Sequence, residues 1–202
     1  ITATRDNVYD LFETDEFYDM LIEKGAAYSW IFHYMPVGKD PNLDMMLTPK
    51  QRAFMAERIP ELRGNKPLFA IDFWNDGTYS GGCIAGGRRY FHINAKGDVE
   101  PCAFVHFSTD NINDKSLKEV LNNPLFESYQ KRQPFNENSL RPCPIIDNNP
   151  ALREIVKESN AKPTHDGAED VVSEEIGKQL EELAERWQEV SWPIHQDRVK
   201  GD

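Results

Sequence analysis

The 202 residues carry 34 acidic and 23 basic side chains, a formal charge of −11, with 39% hydrophobic and 11% aromatic content. That is enough chain for one medium domain or two small ones with a real core, while the acidic balance argues against binding a nucleic-acid backbone, which needs clustered Lys and Arg. No stretch approaches the roughly 18–20 apolar residues of a membrane-spanning helix and no signal peptide precedes the first element, so no membrane span and a cytoplasmic location are expected.

The chain opens with Ile1 rather than Met, directly on the β-branched run ITATR, so its natural start is expected upstream. A strand, a helix and a second strand follow over residues 1–36: ITATR, an amphipathic run with Thr14 as candidate cap and Gly25 as terminator, then AYSWIFHYM. Thr48-Pro49-Lys50-Gln51 is a capping box with proline at the first helical position, which predicts a helix to about Leu62, before Gly64. Leu68–Trp74 reads as the next strand.

From Asn75 to Ser108 glycines and short alternating runs predict a β-hairpin module, with Arg89–Asn94 and Asp98–Phe104 flanking the turn Ala95-Lys96-Gly97. Ser116 and Glu119 form a second capping box, and the apolar residues from Leu117 to Tyr129 predict two short helices packed on that module. Pro150 opens a further helix over about Ala151–Glu158. Residues 159–170, SNAKPTHDGAED, are polar and aperiodic and read as a linker. Val172, Ile176, Leu180, Leu183, Trp187 and Val190 then recur at steps of three or four, predicting an acidic amphipathic helix over Ser173–Val190, more simply a packing helix than a partner-binding one.

Three cysteines, Cys83, Cys102 and Cys143, are an odd count for a disulfide framework and leave three roles: unrelated core residues, a zinc site or an iron–sulfur site. Their neighbours shape backbone rather than fill a core: Gly81-Gly82-Cys83, Glu100-Pro101-Cys102, and Arg141-Pro142-Cys143-Pro144. Proline removes competing donors and glycine lets N–H groups approach sulfur, which favours a bound metal group over three buried thiols. Zinc needs a fourth ligand, for which His92 and His106 are available, but there is no close CxxC pair. A four-iron cluster sits on three thiolates with its fourth iron open or otherwise held. Spacing alone ranks zinc and cluster equally.

The pattern of Cys83, thirteen residues, Gly97, four residues and Cys102, set in YFHINAKGDVEPCAF, resembles the auxiliary-cluster domain, of SPASM or twitch type, found at the C-terminal end of radical S-adenosylmethionine enzymes. The upstream ITATRDN and FHYMPVG resemble the last strands of that family's partial barrel, and TPKQR its bridging helix. The resemblance implies an α/β chain: terminal βα units of a partial (β/α) barrel with the bridging helix over residues 1–66, a small α+β auxiliary-cluster domain with a β-hairpin and short helices over 67–160, and a linker with an acidic amphipathic helix over 161–202. It implies one auxiliary [4Fe-4S] cluster on Cys83, Cys102 and Cys143. Its fourth iron is then open or borrows Asp72, Asp76, His92 or His106. The full SPASM pattern has more cysteines and two clusters; three cysteines are nearer the twitch arrangement.

In this family the radical-generating cluster is bound by CxxxCxxC, a motif absent from the sequence. The resemblance therefore implies that S-adenosylmethionine and a second [4Fe-4S] cluster belong to the intact protein, whose missing N-terminal half is the partner of this chain. The intact protein is expected to be an enzyme, an oxidoreductase in which a 5′-deoxyadenosyl radical abstracts hydrogen from a small-molecule or peptide substrate. Arg5 and Asn7, at the exit of the first strand, and Met35, Pro36 and Val37, at the exit of the second, are implied contacts of S-adenosylmethionine; Asn7 is equally an ordinary helix cap. The alternative is a zinc- or cluster-stabilised, non-enzymatic interaction module.

Four further features carry weaker signals. Asp72 and Asp76 close a strand, where a general base or substrate anchor could sit, although Asn-Asp-Gly is also strong turn chemistry. His106, just past Cys102, is the third weak catalytic candidate. His92 is set by strand alternation on the face opposite Phe91 and Ile93, in keeping with a structural histidine. Gly86-Gly87-Arg88-Arg89 reads as an anion-binding loop, which the resemblance places near substrate.

Overall fold

The computed structural model describes residues 1–201. The fold is mixed α/β and begins with β1 (Thr2–Ala3), α1 (Val8–Phe12), α2 (Glu16–Glu23), β2 (Tyr28–His33), α3 (Pro49–Asn65) and β3 (Phe69–Asp72). The three strands form one parallel sheet in the order β1-β2-β3, with Thr2 opposite Phe32 and Tyr28 opposite Phe69. Period-two alternation divides β2 between two faces. Ile31 and His33 turn inward, and Ile31 joins Val8, Phe12, Tyr18, Met55, Ile59 and Leu62 in a core beneath the helices. Tyr28 and Trp30 point the other way and are 65% and 50% exposed, beside Phe69 at 56%.

The predicted strand–helix–strand unit is present, but Thr14 is not its cap. Two helices replace one, and Asp15 precedes α2 without a side-chain cap bond because its carboxylate is engaged by Arg58 and Lys66. The Thr48 capping box forms in full. Helix α3 passes both Pro60 and Gly64 to Asn65, held by the burial of Ile59 and Leu62 on either side of the proline.

The second half comprises α4 (Gly77–Ser80), β4 (His92–Ile93), β5 (Val99–Glu100), β6 (Phe107–Ser108), α5 (Leu117–Val120), α6 (Pro124–Lys131), α7 (Asn149–Ser159), β7 (Lys162–Pro163) and α8 (Glu174–Gly201). Strands β4 and β5 form the expected hairpin, pairing His92 with Glu100. The Ser116 capping box and the proline-led start of α7 also form. Within the polar stretch read as a linker, residues 162 and 163 instead pair antiparallel with β6. These elements surround a second core that includes Val99, Cys102, Phe126, Tyr129, Ile145, Leu152 and Leu180.

Helix α8 runs past Val190 and through Pro193, beyond the predicted apolar stripe. Leu180 and Trp187 bury as the stripe requires, while Val190 is 38% exposed. Polar contacts hold the extension: Ser191 accepts from Asn138 at 2.9 Å, His195 meets Ser139 at 3.0 Å, and Arg198 donates to Asn75 O at 2.7 Å. The final position of the 161–202 segment lies outside the described residues. No described helix is long and apolar enough to cross a membrane.

Candidate metal centre

Three irregular segments carry the cysteines to one core. Cys83 follows α4 on a loop whose Gly81 and Gly82 both have positive φ. Cys102 lies in the turn after β5, and Cys143 in the loop before α7. All three are free thiols. All three belong to one core, Cys102 within it and Cys83 and Cys143 packed against it; burial, then the charge of Cys83, pushes Cys102 up to about 12. Burial, then the charges of Asp147, Cys83 and Cys102, pushes Cys143 well above an ordinary thiol. Burial also raises Cys83. In the metal-free protein the group is therefore held as thiols, and a cationic group would supply the charge that three thiolates there need.

Donors already face the sulfurs. Phe104 N–H donates to Cys102 Sγ at 3.4 Å, and Tyr129 Oη lies 3.7 Å from Cys83 Sγ. Arg88 pins the Cys83 loop by donating to the carbonyls of Ser80, Gly81 and Cys83 at 2.9, 3.0 and 2.7 Å. Its guanidinium is thus engaged within the loop, whereas Arg89 is exposed. A Cβ on Gly86 would sit 2.5 Å from Tyr129, and one on Gly87 would sit 2.7 Å from Phe126, so these glycines let the loop approach α6.

Among the described residues, no three His, Cys, Asp or Glu side chains are arranged to hold a single metal ion. A tetrahedral zinc with thiolates at ~2.3 Å draws its sulfurs to about 4 Å of one another. Three thiols gathered at one core, with an N–H and an O–H near sulfur, are a donor set that an iron–sulfur cluster takes.

The other candidates are engaged locally. Asp72 is buried, accepts from Asn75 Nδ2 at 2.6 Å and Trp74 N–H at 3.1 Å, and lies 3.6 Å from His33 Nε2, a charge contact beyond hydrogen-bond reach. Asp76 receives Arg63 at 2.8 Å and the Asp72 N–H at 2.9 Å. His92 pairs with Glu100 at 2.7 Å, and His106 lies 3.9 Å from the same carboxylate, with its ring 5.2 Å from that of His165. Burial would raise Glu100, but His106, Thr164 and His92 outweigh it and hold the carboxyl at about 2.

The β1–β2 register sets Arg5 and Met35 two residues beyond the pair Ala3 and His33, at one end of the sheet. Arg5 donates to Met46 O at 3.0 Å, and both ends of the Asn7 amide are used by Thr4 N–H and Thr2 O at 2.8 and 3.1 Å. Met35 and Pro36 are buried and Val37 is half-buried. Two engaged residues were not singled out by sequence reasoning: Tyr129, beside Cys83, which reads as one more apolar position of a packing helix, and Glu100, whose contacts come from histidines and a threonine.

Residues 83–144 match the SPASM family, described as an iron-sulfur cluster-binding domain. The match begins at Cys83 and ends one residue past Cys143. No curated protein and no solved structure matches the chain.

Proposed function

We propose that this chain, whose residues 83–144 match the SPASM iron–sulfur cluster-binding family, is the auxiliary-cluster portion of a radical S-adenosylmethionine enzyme, with Cys83, Cys102 and Cys143 as ligands of one [4Fe-4S] cluster. The supporting observation is that all three thiols lie at one core, inside the segment that matches the cluster-binding family. When bound, the cluster supplies an electron-transfer centre or an open iron for substrate.

In this reading the chain's own residues hold and shield that centre. Arg88 fixes the Cys83 loop, the Phe104 N–H stabilises charge on Cys102, and Asp147 accepts from the Cys143 N–H at 3.2 Å. We assign residues 1–66 to the end of the partial barrel and its bridging helix, 67–160 to the auxiliary domain and 161–202 to a C-terminal segment.

Parallel sheets are ordinarily covered on both faces, so the exposed aromatic face of β2 and β3 supports further βα units in the intact protein. Those units would carry the radical-generating cluster and S-adenosylmethionine, the latter reaching Arg5, Asn7 and Met35–Val37. In that protein, one-electron cleavage of S-adenosylmethionine would give methionine and the 5′-deoxyadenosyl radical that abstracts hydrogen from substrate.

The test is anaerobic reconstitution with iron and sulfide, read by metal analysis and Mössbauer spectroscopy on wild type and on Cys83→Ala, Cys102→Ala and Cys143→Ala. A four-iron cluster in wild type, lost in each variant, is expected. Stable zinc without a cluster, or wild-type iron content in any variant, would overturn the assignment.

A further inference from the structure

The phenol of Tyr129 is fully buried on α6, and among the described residues the one polar partner of its hydroxyl is the sulfur of Cys83 at 3.7 Å. Buried tyrosine hydroxyls usually reach a carbonyl, an N–H or a carboxylate, and a neutral thiol is a weak partner by comparison. The placement is nonetheless built in. The ring fills the space beside Gly86 that a Cβ would occupy, and it packs edge-on against Phe135 at 5.0 Å.

We propose that Tyr129 is a positioning residue of the cluster, its O–H donating to the Cys83 thiolate and raising the cluster's reduction potential. A thiolate accepts far more strongly than a thiol, so the weak contact becomes a charge-assisted one when metal is bound. Reduction adds negative charge that is shared with the ligand sulfurs. A donor at sulfur therefore stabilises the reduced state more than the oxidised state, and the potential rises. No proton leaves Tyr129. The inference rests on the cluster assignment to Cys83, Cys102 and Cys143.

The experiment is potentiometric titration, monitored by electron paramagnetic resonance, of the reconstituted full chain and of Tyr129→Phe, with iron and sulfide measured on both. Tyr129→Phe keeps the ring and removes the donor. The expected result is unchanged iron content and a more negative midpoint, with the reduced-to-oxidised ratio at the wild-type midpoint falling about tenfold, which is ~59 mV for one electron. An equal midpoint overturns the inference while leaving the cluster assignment standing, and a wild type that binds no cluster overturns both.

Loss of a single iron in Tyr129→Phe would make the residue a ligand rather than a donor and also overturns the inference. If Tyr129→Phe fails to assemble a cluster, 3-fluorotyrosine at position 129 decides. Its shape is nearly the same and its O–H is a stronger donor, so a more positive midpoint supports the role and an unchanged one overturns it.

Discussion

Arg52 on α3 and Asp147 beside the Cys143 loop form an ion pair of 2.7 Å between side chains that are 6% and 0% exposed. The pair joins the sheet-bearing half of the chain to the cysteine-bearing half. Asp147 uses its other oxygen to accept from Cys143 N–H, and Arg52 lies 4.4 Å over the Trp187 ring while donating to Leu140 O at 3.3 Å. Removing one member strands the other as a buried charge, which costs about 3–5 kcal/mol. Arg52→Met is therefore expected to lower Tm by about 10 °C. Arg52→Met combined with Asp147→Leu should lose less than the sum of the two single variants. Chemical denaturation of the four proteins checks this, and a cost below about 1 kcal/mol for either single variant would refute the buried-pair account.

Gly86 makes a second, sharply bounded case. Its φ is +68° and an added Cβ would lie 2.5 Å from the Tyr129 ring. Gly86→Ala thus combines backbone strain of about 1 kcal/mol with overpacking of about 1–3 kcal/mol, and it should displace Tyr129 from Cys83. Gly25 is the internal control, with φ +84° and no atom within 4 Å of an added Cβ. Gly25→Ala should cost only the backbone strain. Thermal denaturation gives the ranking, and iron retention after reconstitution should fall in Gly86→Ala alone.

Much of this architecture is legible in the sequence, because it is written in local chemistry. The Thr48 and Ser116 capping boxes, the proline at the head of α7 and the Gly97 turn each satisfy their own backbone within a few residues. The missed features depend on distant partners. Asp15 does not cap α2, being engaged by Arg58 and Lys66. Lys162 and Pro163 become a strand because Phe107 and Ser108 are there to pair with them. Helix α8 continues past its stripe through polar contacts of Ser191, His195 and Arg198, which leave no periodic apolar signal. The cysteines were visible through their glycine and proline neighbours, whereas Tyr129 looks in sequence like any apolar helix position.

Asp72 predicts an acid-side dependence of stability. Burial alone would raise its carboxyl, but the charge of His33, with bonds from Asn75 and the Trp74 N–H, outweighs that and leaves it below its ordinary value. A carboxyl with a depressed folded-state pKa contributes stability that is present above its unfolded pKa, about 3.9. The contribution is lost as pH falls through the folded value. The advantage of wild type over Asp72→Asn should therefore shrink as pH falls from about 5 to below about 4. Denaturant titrations of the metal-free proteins across that range test it, and a gap that widens on acidification would reverse the sign.

The aromatic face of the parallel sheet carries the last prediction. Trp30 and Phe69 are 50% and 56% exposed, and Trp30 packs edge-on against Phe73 at 5.8 Å. A contiguous apolar surface of this kind promotes association when nothing covers it. Trp30 and Phe69 sit on the uncovered side of strands whose other face is already filled by Val8, Phe12, Met55 and Ile59, so polar replacement there removes little core packing. The isolated chain is therefore expected to self-associate and bind apolar dyes through this face, and Trp30→Gln with Phe69→Gln should abolish both at a cost of no more than about 1–2 kcal/mol, because both side chains are already half in water. Sedimentation velocity over a concentration series, paired with denaturation, separates the outcomes. Unchanged association would place the sticky surface elsewhere, and a large loss of stability would mean that these rings support the sheet itself rather than await a covering layer.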